Sequence, residues 1–113
     1  SKVHQDPAAA ILGTSQVSAA ISCSHSVSSY DTILWYQKLQ DDSALNLIGY
    51  IVVTSPSVEE KFNQKFQISG EGSEKSDLHL QKLNHTDSGV YYCALIPAAC
   101  VWDLVLWVKT QNS

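Results

Sequence analysis

Apolar and polar positions alternate with a period of two in short stretches separated by turn residues, which predicts half-buried strands in an all-β domain. Val17, Ala19, Ile21 and Cys23 alternate with Ser18, Ala20 and Ser22. Ile33, Trp35 and Gln37 share one face of the next strand, and Leu34, Tyr36 and Lys38 share the other. Asp41-Asp42-Ser43 turns the chain before residues 46–50. Ile51-Val52-Val53 continues as an apolar strand that Thr54-Ser55-Pro56-Ser57 ends. Phe66 and Ile68, then Leu78 and Leu80, point to one side across a turn at Gly70-Glu71-Gly72-Ser73. Tyr91, Cys93 and Leu95 alternate against Tyr92 and Ala94. Helical periodicity is nowhere sustained, and residues 57–67 are the one ambiguous stretch. Residues 101–108 are apolar at nearly every position except Asp103. Two readings stand for that segment: a strand buried on both faces, one of them covered by another chain, or a hydrophobic edge blunted by Asp103 and Lys109.

Composition narrows the class. The 113 residues suit one domain spanning 1–113, with a core covering roughly two-thirds of the unfolded surface. With 44% hydrophobic residues the chain is not a disordered polypeptide. A net charge of -4 without any Lys/Arg cluster argues against nucleic acid as a partner. The sequence opens Ser-Lys-Val, with neither an initiator Met nor a charged-then-apolar leader. This reads as a soluble piece whose targeting segment has been removed and whose membrane anchor lies outside it.

Cysteines stand at 23, 93 and 100, with no zinc-type spacing. Cys23 and Cys93 each sit in an alternating stretch, which in a secreted β-domain reads as a bridge between two sheets. Closing so long a loop contributes ~4 kcal/mol on a chain-entropy account. Cys100 is left over, either as a free thiol or as an intermolecular partner.

Cys23, Trp35 and the run Asp87-Ser88-Gly89-Val90-Tyr91-Tyr92-Cys93 together resemble an immunoglobulin variable-type (V-set) domain. The resemblance implies a Greek-key sandwich of nine strands in two antiparallel sheets, with Trp35 packed on a Cys23–Cys93 bridge and Tyr91 as the tyrosine corner. Leu78, Leu80 and Leu83 would point inward, and Lys65 would pair with Asp87. Trp35-Tyr36-Gln37-Lys38, Leu45-Asn46-Leu47-Ile48-Gly49-Tyr50, Phe66-Gln67-Ile68-Ser69-Gly70 and Leu78-His79-Leu80-Gln81-Lys82-Leu83 are similar to a T-cell-receptor β-chain variable segment, a likeness covering residues 3–95. Beyond it the family's joining motif, Phe-Gly-x-Gly, has no counterpart: residues 101–107 contain no glycine. A non-rearranging V-set co-receptor of the CD8 type, acting as a dimer on MHC, is therefore the alternative, and a structural or adhesive V-set domain is a third reading.

The leading expectation is an extracellular, cell-surface ectodomain of a lymphocyte receptor that recognises peptide–MHC. By resemblance three loops would do this: BC (26–32), C′C″ (50–57) and FG (94–100). Their contact residues would be Ser29, Tyr30, Asp31, Tyr50, Val52, Thr54, Ile96, Pro97 and Ala98. Tyrosine with small polar residues suits protein recognition. A second V-type domain, making a homo- or heterodimer, is expected on the outward row Leu34, Tyr36, Lys38, Leu47, Tyr92 and Trp102. Lys38 stands where antigen receptors often place a Gln that bonds across the pair, and this disfavours simple self-pairing.

No catalytic chemistry is read from the chain. The histidines at 4, 25, 79 and 85 are isolated, and there is no HExxH, GxSxG or phosphate loop. Ser24-His25-Ser26 reads as a polar surface loop, and His79 as solvent-facing. No enzyme, cofactor or metal is expected. Asn84-His85-Thr86 is an N-glycosylation sequon in the turn before the tyrosine corner, readable as a glycan site or as a bare turn.

Overall fold

A computed structural model describes residues 3–6, 19–27, 29–40 and 44–97. Val17, Asp41-Asp42-Ser43, Ala98, Cys100, Trp102 and the apolar segment 101–108 lie outside the described residues. Among the described residues eight strands follow in chain order: β1 (Val3–Asp6), β2 (Ala19–His25), β3 (Thr32–Leu39), β4 (Asn46–Val52), β5 (Ser55–Val58), β6 (Phe66–Glu71), β7 (Lys75–Leu80) and β8 (Gly89–Ile96). They form two antiparallel sheets, β1-β2-β7-β6 and β5-β4-β3-β8.

The alternation read from the sequence sets which side chains meet between the sheets. Ile21 and Cys23 from β2, Ile33 and Trp35 from β3, and Leu78, Leu80 and Tyr91 are all buried in one cluster. Cys23 and Cys93 are bonded, joining the sheets at the level of Trp35, which is fully buried. The Trp35 indole N–H donates to Ser76 Oγ at 3.0 Å, and that hydroxyl donates to the Ser69 carbonyl at 3.0 Å, so no buried polar atom is stranded there. Gln37 completes the inward row: its Nε2 donates to the Tyr91 hydroxyl, and its Oε1 accepts from Asn46 Nδ2, both at 3.3 Å.

Strict alternation fails at β4. Trp35 faces Gly49 whereas Tyr36 faces Leu47, so Ile48 is an extra residue in the ladder. The bulge lets Ile48 and Ile51, three residues apart, both enter the main core, while Leu47 and Tyr50 go to the opposite face. The segment read as a strand stop is itself β5: its Ser-Pro-Ser sequence is tolerated because the strand lies at the edge of its sheet. The ambiguous stretch holds a single 3₁₀ turn, Glu60–Phe62.

Candidate recognition surface

At one end of the sandwich three connections meet. The β2–β3 loop, the two-residue β4–β5 turn Val53-Thr54 and the β6–β7 turn lie against one another through backbone groups. The Val53 amide donates to the Asp31 carbonyl at 2.9 Å, and the Gly72 amide donates to the Val53 carbonyl at 2.6 Å. His25, at the end of β2, adds a side-chain tie: its Nδ1 accepts from the Val27 amide at 3.1 Å. The proton therefore sits on Nε2, which donates to the Gly72 carbonyl at 2.8 Å.

Gly72 is obligatory in this arrangement. A Cβ there would lie 1.9 Å from the Asp31 carbonyl oxygen and 2.7 Å from that of Ile51, and neither backbone atom can swing aside. Val53 takes a φ of 54°, in the left-handed region that a β-branched residue enters only under strain. Hydrogen bonds on both its amide and its carbonyl hold it there. The result is exposed apolar surface on a braced backbone: Val53 is 46% exposed and Tyr30 36%, the two large hydrophobic residues so placed among those described. Ser29 and Thr54 beside them are exposed as well.

The structure redistributes the expected contact residues. Ser29, Tyr30 and Asp31 lie on the β2–β3 loop, and Thr54 is at the β4–β5 turn. Tyr50 and Val52 belong to β4, as the strand reading of this stretch expects, and face Ser57 and Ser55 of β5, so the loop bounds 50–57 are corrected to the turn Val53-Thr54. Ile96 is also corrected. It is the last residue of β8, pairs with Thr32 and is 9% exposed, so it is a packing residue. Pro97 follows it, half-buried, and Ala98 lies outside the described residues. Sequence reasoning passed over Val53, His25 and Gly72. Val53 read as the continuation of a strand, and His25 as part of a polar loop. The signal for Gly72 was present only as a glycine-containing turn, which does not reveal what the turn packs against.

The outer face of the β5-β4-β3-β8 sheet differs from the open apolar row expected there. Leu34 and Leu47 are buried within the chain, in a second cluster with Ile96 against which Tyr36, Leu45, Tyr50 and Ala94 pack. The bulge turns Leu47 onto this face, where it joins Leu34 and Ile96. What this face offers is the stacked pair Tyr36 and Tyr92, centroids 5.2 Å apart, with Lys38 exposed on the same strand. Burial, and secondarily the neighbouring Tyr92, push the Tyr36 phenol up from its ordinary pKa.

At the opposite end a charge cluster closes the sandwich. Lys65 Nζ donates to Asp87 Oδ2 at 2.5 Å and to the Lys82 carbonyl at 2.9 Å. The same carboxylate oxygen accepts from the Asn84 amide at 3.0 Å, and the Tyr91 hydroxyl donates to the Asp87 carbonyl at 2.6 Å. Burial first, and then the Asp87 charge, push the Tyr91 phenol far above its usual range; the Gln37 hydrogen bond acts in the opposite direction.

His79 is half-buried on β7, its Nε2 3.2 Å from Ser69 Oγ on β6. Among the described residues no three His, Cys, Asp or Glu side chains gather as a metal site, and no helix is long and apolar enough to cross a membrane.

Two antiparallel sheets bridged by a buried disulfide over a tryptophan, with a tyrosine corner at the base, define an immunoglobulin-type sandwich. The family model of the immunoglobulin V-set domain matches residues 6–102, and the chain belongs to that family. A solved structure described as "Structural basis of T cell specificity and activation by the bacterial superantigen toxic shock syndrome toxin-1" has a chain that superimposes with a TM-score of 0.68 at 24% identity. The match covers 85% of this chain and 81% of that one, and it is a likeness of fold. No curated protein matches the chain. The V-set fold with its intrachain disulfide fits an extracellular, immune receptor-like domain.

Proposed function

We propose that this domain is the ligand-binding ectodomain of a lymphocyte surface receptor, similar to a T-cell-receptor β variable domain, and that it recognises peptide–MHC without any catalytic step. One observation carries the reading: the exposed large apolar side chains Tyr30 and Val53 sit on neighbouring connections whose backbones are braced together. A braced surface loses little conformational entropy on binding, and a tyrosine with small polar neighbours provides contact area with adaptable hydrogen bonds. The stacked Tyr36–Tyr92 pair with Lys38 beside it supports a second V-type domain as partner on the sheet face, the aromatics at the centre and the lysine toward an acidic or carbonyl group.

The test is surface plasmon resonance of the domain, alone and paired with candidate V-domain partners, against a panel of peptide–MHC complexes. Tyr30→Ala and Val53→Asp should each abolish binding, while Tyr36→Asp should abolish pairing. Ligand binding that survives both loop variants and is lost with Tyr36→Asp would instead support the dimeric co-receptor. That alternative also draws on the missing Phe-Gly-x-Gly motif.

A further inference from the structure

We propose that Asn84 is an N-glycosylation site and that its glycan covers the end of the sandwich opposite the recognition surface. Asn84-His85-Thr86 is the one complete sequon in the sequence. The structure places Asn84 and Thr86 on the surface, at the start of the 3₁₀ turn His85–Asp87. The Asn84 side-chain oxygen accepts from the Thr86 amide at 2.9 Å and from the Thr86 hydroxyl. That Asx turn commits the oxygen and leaves Nδ2 with no hydrogen-bond partner among the described residues. Nδ2 is the atom that carries a sugar, so attachment breaks no contact of the folded domain. The Asn84 backbone is pinned separately by its amide bond to Asp87 Oδ2.

In the transfer itself, Nδ2 forms a bond to the anomeric carbon of a lipid-linked oligosaccharide as the bond from that carbon to the lipid diphosphate breaks. The diphosphate leaves with the electron pair, and one amide proton passes to a base of the transferase. Disulfide formation and this transfer take place in the same oxidising secretory compartment, so the Cys23–Cys93 bond supports access to the donor. Position decides the consequence. The turn precedes Gly89, the first residue of β8, whereas Ile96 at the far end of that strand pairs with Thr32 beside the braced loops. Seven residue steps along the strand separate the two by roughly 23 Å. A glycan on Asn84 thus shields the Lys65–Asp87 end and leaves Tyr30 and Val53 open.

The inference rests on the extracellular reading, and the experiment separates the two. The full chain is expressed behind a secretory leader in cultured animal cells, and protein from cells and medium is treated with peptide N-glycanase. Wild type should collapse from one slower band to a faster one, with aspartate at position 84 by mass spectrometry. Asn84→Gln and Thr86→Ala should migrate as the faster band untreated, and Thr86→Ser should keep the shift. Wild type that is secreted with its Cys23–Cys93 bond formed but without sugar would overturn the glycan and leave the extracellular reading intact. A shift that persists in both Asn84→Gln and Thr86→Ala would overturn the site.

Discussion

At the base of the sandwich the Lys65 ammonium pairs with the Asp87 carboxylate, and the Tyr91 phenol donates to the Asp87 main-chain carbonyl, so each bond needs a particular side chain. At the loop end Asp31, Val53 and Gly72 are joined through main-chain amides and carbonyls, with the His25 ring adding a side-chain tie. The base therefore depends on residue type. The loop end depends on backbone path and on the absence of a side chain at Gly72, so the residues displayed at its tips can change while the frame persists. This division suits a recognition domain, in which one end is fixed and the other carries variable contacts on a braced support.

Removing the carboxylate at the base should have the largest effect. Asp87→Ala removes the ion pair of Lys65, which keeps the Lys82 carbonyl, and leaves the Asn84 amide without its acceptor; it should cost about 2 kcal/mol in urea unfolding. Exchange protection of the Val53 and Gly72 amides should be little changed under strongly native conditions. A loss of that loop-end protection in Asp87→Ala would show that the two ends are not independent.

Gly72→Ala is the converse. Its Cβ must displace the β6–β7 turn from Asp31 and Ile51, at about 1–2 kcal/mol. The Val53 and Gly72 amides should lose protection while the amides of β8 keep theirs. Unchanged exchange at Val53 would remove the claim that Gly72 braces the loops.

Tyr91→Phe should cost about 1 kcal/mol at neutral pH, because Gln37 and the Asp87 carbonyl lose a partner. Its pH signature sharpens the contrast. The folded phenol titrates above its unfolded value of ~10, so its contribution is fully present below that pH and is lost as pH rises through the folded value. Wild-type stability should fall above pH ~10 by up to about 1.4 kcal/mol per unit from this group, and Tyr91→Phe should show a shallower fall. Identical alkaline slopes in the two proteins would contradict the burial assigned to Tyr91.

The smallest effect belongs to His25. Replacing it with Ala removes two hydrogen bonds in a half-buried position and should cost about 0.5–1 kcal/mol, with raised exchange at the Val27 amide and little change at Val53. Nuclear magnetic resonance of the imidazole nitrogens should find the proton on Nε2 in the neutral protein; a proton on Nδ1 would reverse the assigned donor and acceptor roles.

The sequence by itself determined the elements whose signal is a residue type at a spacing. The period-two rows of Ile21 and Cys23, of Ile33, Trp35 and Gln37, and of Leu78 and Leu80 state which side is buried, because strand geometry sends alternate side chains to opposite faces. The Lys65–Asp87 pair and the Tyr91 corner were legible only through the resemblance to V-set domains, whose motif carries those residue types at those places. Tertiary structure alone decided the rest. The bulge at Ile48 shifts alternation by one and sends Leu47 outward, and a ladder insertion leaves no mark in a run of apolar residues. Leu34 is buried in a cluster with Leu47 of β4 and Ile96 of β8, residues that only the pairing of the strands brings together. The braced loop end is made of amides and carbonyls that every residue carries. Only the folding of three distant turns onto one another determined which of them pair, and with them the exposure of Tyr30 and Val53.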